Sequence, residues 1–357
     1  MGLRGFIARR IVYSVILVFA VIVVDFLLFM AMPGNPIQFL MGEGISRESG
    51  AQRIQHEQQL AAQWGIGQPL YIQLFRYMSN LLTWNFGKEI ASGLPISSVL
   101  SVKIPYTLML LGTSTVLSII IGIWLGMVVI QRRGTAVDTG SVVGALVAGS
   151  LPTFWIGLVL LWIFSNSLGW FPGAQAYPTI WDVPGGWPQA VVTTTGYSTA
   201  SLNMVFSISS AQSWNLFYGY ISHLILPLAT LTLFNFGGML LLTRATMLDA
   251  ITEDYIVTAR AKGLTERSVL YKHALKNASL PIITAVALSF GFVLSGAIIT
   301  ETVFSYPGLG AWIYGALQIR DYTVLMAFFY IISLCVIVAN IVSDLLYGVI
   351  DPRIKYG

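Results

Sequence analysis

Side chains able to do chemistry are few in this chain, and they gather in one stretch. Asp, Glu, Lys and Arg make up only 10% of the 357 residues, yet residues 253–281, EDYIVTARAKGLTERSVLYKHALKNASLP, are polar, charged and flanked by long apolar runs. Asp249, Glu253 and Asp254 lead the stretch, and Arg260, Lys262, Arg267, Lys272 and Lys276 follow. That order suits helix termini, where acidic groups favour the first turn and basic groups the last. Gly263 divides two helical halves, a shape that projects as a compact turn and fits a groove in another protein. The alternative is a solvated loop lying against anionic lipid. Within the apolar runs, Ser289 and Ser295 are small polar residues suited to packing or to a lined path. Asn340 and Asp344 lie four apart, on one face of a helix.

The chemistry that is missing narrows the reading. Gly87-Lys88 lacks the upstream Gly and the following hydroxyl residue of a phosphate-binding loop. His56-Glu57 begins a zinc-protease pattern, but Leu60 stands where the second His is needed. No nucleophile elbow, paired catalytic carboxylates or metal-ligand cluster is visible, so catalytic and metal-binding residues are not expected. The apolar runs also lack the Asp, Glu and His chains of many proton-driven carriers. Uphill transport through this chain must therefore draw energy from another subunit.

The elements that position these residues are membrane helices. Hydrophobic residues make up 56% of the chain, and mean hydropathy is +0.76, outside the usual soluble range. A span needs ~20 mostly apolar residues, and the sequence offers runs near 10–31, 104–130, 136–164, 222–244, 280–302 and 322–349. The fold class is thus all-α and polytopic, with about six transmembrane helices. Placing the amino terminus inside leaves Arg4, Arg9, Arg10, Arg132, Arg133, Arg244, the 253–281 cations, Arg353 and Lys355 cytoplasmic. Fewer cations, Arg47, Arg53, Arg76, Lys88, Lys103 and Arg320, remain outside, which predicts both termini and the 253–281 loop in the cytoplasm. Cys335, the only cysteine, lies in the last run and reads as a small buried hydrophobe.

Three domains follow: 1–31, the amino terminus and first span; 32–103, an outer segment; and 104–357, the transmembrane domain. In the outer segment, 51–64 and 69–84 have amphipathic helical spacing, with Pro69 suited to a first turn. Asp25, costly in lipid, is expected to face protein or water. Gly122-x-x-x-Gly126 and Gly140-x-x-x-Gly144 permit close helix approach. Residues 165–222 form a second outer segment, β-favouring and nearly uncharged over Val191–Asn215. It is either a surface lid or a docking surface for an external partner. Tyr306 to Gly308 should turn the chain sharply.

The run EDYIVTARAKGL followed by Leu280-Pro281 resembles the cytoplasmic coupling loop of permease subunits in ATP-binding-cassette importers, specifically the dipeptide/oligopeptide/nickel branch. The resemblance spans nearly the whole chain. It includes Pro33-Gly34-Asn35-Pro36, GQPLYIQLFRY at 67–77, IPYTLML before the second span, SLPTFWIG at 150–157 and LGWFPG at 168–173. It continues through HLILPLATL at 223–231, ETVFSYPGLG at 301–310, RDY at 320–322 and the terminal DLLYGVIDPRIKYG. The long first outer segment and the ending look like the first of the family's two permease subunits. Val257-Thr258-Ala259 stand where the general motif has Glu-Ala-Ala, and Leu280-Pro281 come later than usual. Both features resemble the peptide branch, while the length of 165–222 departs from typical members.

The resemblance implies a type I importer fold in which this chain pairs with a second permease subunit, two ATPase subunits and an external substrate-binding protein. ATP and Mg would sit on the ATPases, with no cofactor on this chain and no nucleic-acid partner. The coupling loop would run over 245–279, and the coupling helix would comprise Glu253, Asp254, Tyr255, Thr258, Ala259, Arg260, Ala261, Lys262, Gly263 and Leu264. Ala259, Ala261 and Gly263 would permit close approach, and Arg260 and Lys262 would supply polar contacts. Ser289, Ser295, Asn340 and Asp344 are the candidate path residues. Peptides are the first-choice cargo, with oligosaccharides or nickel complexes as alternatives; a lone secondary carrier or channel is the alternative of another class.

Overall fold

The computed structural model describes residues 3–31, 50–174 and 211–350. The turn at 33–36, residues 175–210 of the second outer segment and the 351–357 tail lie outside the described residues. The described residues are helical apart from short connections. Helix α1 is Leu3–Ala31, α2 Gly50–Trp64 and α3 Leu70–Leu82. Helix α4 runs Ile96–Gln131, and α5 (Ala136–Ser150) and α6 (Thr153–Ser167) form a pair bent by 100°. Helix α7 is Ala211–Ile251, α8 Asp254–Ala261 and α9 Glu266–Gly291. The chain ends with α10 (Ile298–Val303), α11 (Leu309–Gln318) and α12 (Tyr322–Ile350).

Among the described residues, five helices are long and apolar enough to cross a membrane, or six segments when the bent pair is one span. The run expected to be the third span is broken at Leu151-Pro152, because a residue before proline is pushed out of the helical region; Leu151 is extended at ψ 136°. The helices of the second and fifth spans begin at Ile96 and Glu266, earlier than the apolar runs at 104 and 280. Hydropathy marks the part of a helix that can lie in lipid, not the whole helix. The fifth span also stops early, at Gly291, and a 3₁₀ turn, Val293–Ser295, leads into the short α10.

Packing centres on α7, which runs against α4. A Cβ on Gly122 would sit 2.6 Å from Met239 Cβ, and one on Gly126 would sit 2.7 Å from Thr243 Cβ. These glycines let the two backbones approach closely. Gly140 and Gly144 face no described atom within 4 Å. Arg244 on α7 makes a two-pronged ion pair with the buried Asp138 on α5, at 2.8 and 3.2 Å. Asp25 is buried and accepts a 2.7 Å hydrogen bond from the Tyr77 hydroxyl, which ties α1 to α3. One end of the bundle carries α8; α2, α3, α10 and α11 pack at the other, distal end around Trp64, Tyr77, Phe86, Leu309 and Trp312.

Candidate coupling surface and intramembrane path

Helix α8 begins at Asp254, with Glu253 extended before it at ψ 148°. Ile256 and Ala259 are its buried residues, three apart on one face. They pack with Met127 and Ile130 of α4, Met247 and Ala250 of α7, and Val269, Leu270 and Ala274 of α9. The opposite face is open: Glu253, Asp254, Val257, Thr258, Arg260, Ala261, Lys262, Gly263 and Leu264 are exposed. Tyr255 is half-buried, and its hydroxyl has no hydrogen-bond partner among the described residues. Of the small residues expected to permit close approach by a partner, Ala259 thus faces the chain's own bundle, while Ala261 and Gly263 lie on the free surface.

Gly263 breaks the helix by conformation. Its φ is +75°, and a Cβ there would meet nothing within 4 Å. Its amide donates to the Arg260 carbonyl at 2.9 Å, closing the end of α8. Arg260 does not project alone. Glu266 holds its guanidinium through two contacts, at 2.6 and 3.2 Å, a fork geometry that fixes the arginine plane. Both side chains are exposed to solvent, so the main effect of the pair is on shape. Six residues separate the pair across the glycine break, so helical spacing alone does not join Glu266 to Arg260.

Between α4, α7 and α9, a cavity of about 410 Å³ opens in the membrane part of the bundle. Thr115 and Ser118 of α4, Asn235 of α7 and Ser289 of α9 supply its polar lining. Ser289 and Asn235 donate to the carbonyls of Ala285 and Leu231, four residues back on their own helices, at 2.7 and 2.9 Å. Ser118 lies 3.4 Å from the Thr232 carbonyl. Among the described residues, none that lines the space is ionisable. The lining is mostly apolar, and the side chains of Ser118, Asn235 and Ser289 are satisfied by backbone carbonyls of the bundle itself.

Among the four expected path residues, only Ser289 lines this cavity. Ser295 bonds to the Phe292 carbonyl at 2.6 Å in the turn after α9. Asn340 and Asp344 share a face as expected, but that face meets α1, where Arg10 pairs with Asp344 at 2.9 Å beside a separate recess of about 260 Å³. Thr115, Ser118 and Asn235 carried no spacing signal, since they come together only when three helices pack.

At the distal end, residues 296–311 fold back on themselves around Glu301. This residue is fully buried, and its carboxylate accepts the amides of Ala311 at 2.9 Å and Ala297 at 3.3 Å. The Thr107 hydroxyl lies 3.4 Å away and accepts the Leu309 amide at 2.7 Å. Gly308 and Gly310 press on the clamp: a Cβ on Gly308 would lie 2.5 Å from Glu301 Oε2, and one on Gly310 would lie 2.7 Å from the Ile298 amide nitrogen. Gly296, at φ +75°, has no room either, with Gly310 N 2.7 Å from its Cβ position. The expected turn is present, and the Tyr306 hydroxyl locks it to Tyr220 at 2.8 Å and to the Tyr106 carbonyl at 3.1 Å.

Comparison with known proteins agrees with this architecture. Residues 118–356 match the family described as binding-protein-dependent transport system inner membrane component, and residues 3–108 match the amino-terminal region of such membrane components. The chain is 33% identical to the oligopeptide transport system permease protein AppB of Bacillus subtilis, over 99% of this chain and 100% of that one. It is 33% identical to the di/tripeptide transport system permease protein DppB of Pseudomonas aeruginosa, over 99% of each. It is 32% identical to the dipeptide transport system permease protein DppB of Escherichia coli, over 98% of each. With its multiple spans and matches that reach almost from end to end, this chain belongs to the family of binding-protein-dependent transport system inner membrane components.

Proposed function

We propose that this chain forms half of the pathway by which an ATP-driven importer moves dipeptides and oligopeptides across the cell membrane. A second permease subunit would supply the other half, two ATPase subunits would dock on α8, and an external binding protein would deliver the peptide to the distal end. Both termini and α8 would then be cytoplasmic. The similarity to peptide permeases supports the cargo, and the uncharged lining of the cavity suits solutes with varied side chains.

One observation carries the reading. The helices that cradle Ile256 and Ala259 are α4, α7 and α9, and these same three helices line the cavity. A push on α8 by ATPases closing around ATP would be delivered to all three cavity walls at once. Packed interfaces respond to such a push by switching between discrete arrangements, not by deforming gradually. The walls would then part alternately toward one face of the membrane and the other.

The test is reconstitution. The chain, co-expressed with candidate ATPase, second-permease and binding-protein subunits from the same organism, should purify as one complex and take labelled dipeptide into proteoliposomes only with ATP. Flux by the lone chain, or a purified complex that moves no peptide, would contradict the proposal.

A further inference from the structure

Helix α3 leaves several large apolar side chains exposed. Tyr77 and Leu81 point into the core, and Gln73, Arg76 and Asn80 form its polar side. Tyr71, Phe75 and Leu82, spaced by four and seven, make a third stripe that no described residue covers. Tyr71 is 73% exposed and Phe75 66% exposed, and Trp84, just past the helix end, is 53% exposed. Contiguous exposed apolar surface of this kind marks a contact with a partner or a membrane.

Two observations choose the membrane. First, α3 is fastened to the distal end of a membrane span. Tyr77 bonds Asp25 and its ring meets that of Phe26 at 5.6 Å, tilted by 55°, and the neighbouring Val24, Leu27 and Leu28 of α1 are exposed, as lipid-facing residues are. Second, the charge fits phospholipid. Between Glu57 and Glu89 there is no acidic residue, while Arg76 and Lys88 are both basic. Tyr and Trp rings favour the headgroup level, and basic residues beside them meet phosphate.

We propose that α3 is an interfacial helix, with Tyr71, Phe75 and Leu82 seated in the headgroup boundary of the distal leaflet and Trp84 at its rim. The helix braces α1 against the bilayer surface, and this holds whichever solute the chain carries. The assembled transporter, with Cys335→Ser to remove this chain's only thiol and the other subunits free of reactive cysteines, is reconstituted in phosphatidylethanolamine–phosphatidylglycerol vesicles. Nitroxide is attached at Phe75→Cys, Leu82→Cys or Gln73→Cys, the last on the polar side. The collision rate with oxygen relative to a water-soluble nickel chelate should be several-fold higher at positions 75 and 82 than at 73. Equal ratios at all three would overturn the proposal. So would shielding of 75 and 82 from both reagents, which would mean that a protein covers the stripe.

Discussion

The two ends of the bundle solve the same problem, turning the chain back on itself, in opposite ways. At the distal end the turn is closed by its own groups: Glu301 satisfies two backbone amides from inside, and Gly308 and Gly310 fit against it without space for a methyl group. At the other end α8 buries Ile256 and Ala259, packs Tyr255 half-buried beside them and leaves its remaining residues exposed, with no described atom within 4 Å of a Cβ placed on Gly263. The first is complete within the chain and built to hold still. The second is packed where it meets the bundle and open on the side where the proposed ATPase would dock.

That contrast is broken most severely at the clamp. Glu301→Ala should leave the amides of Ala297 and Ala311 buried without an acceptor, at about 1–3 kcal/mol each. Gly310→Ala should drive a methyl into the Ile298 backbone. Both should lower the thermal midpoint of the purified protein sharply, read by tryptophan fluorescence in detergent; midpoints like the parent's would show that the distal turn is not held by Glu301. Ile256→Ala comes next, because a fully buried isoleucine cut to alanine costs about 2–5 kcal/mol. It should loosen α8 from its socket, so that ATP hydrolysis continues while ATP-driven uptake falls.

The glycines sharpen the comparison. At Gly263 the cost of a side chain is conformational, about 1–2 kcal/mol for a residue that resists positive φ. Gly263→Asn, which tolerates that conformation, should keep more uptake than Gly263→Val, and both should insert in the membrane normally. Equal loss in the two variants would mean that the partner, not the backbone, needs the space. The smallest effect on stability belongs to the exposed Arg260–Glu266 pair. Glu266→Gln should change the thermal midpoint by an amount equivalent to about 0–1 kcal/mol.

Much of this was readable from residue order. The apolar runs located the spans, the break at Gly263 separated α8 from α9, and the turn at 306–308 stands where proline and glycine placed it. Asp25 met a protein partner, as a carboxylate in a span must. What could not be read was non-local. Periodicity put Asn340 and Asp344 on one face, but which neighbour that face meets depends on how α12 packs, and it meets Arg10. Glu301 was readable only as part of a turn, since its role depends on amides brought back by the fold from Ala297 and Ala311. Thr115, Ser118, Asn235 and Ser289 share a cavity only because Gly122 and Gly126 let α4 close on α7.

The central claim is that α8 moves the cavity walls through Ile256. Its most direct measurement is the accessibility of Ser289→Cys, in a Cys335→Ser background, to a membrane-impermeant thiol reagent in the reconstituted transporter. Modification should change several-fold between the nucleotide-free and ATP-trapped states, and Ile256→Ala should abolish that change while ATP hydrolysis persists. Identical modification in both states, or an unchanged response in Ile256→Ala, would contradict it.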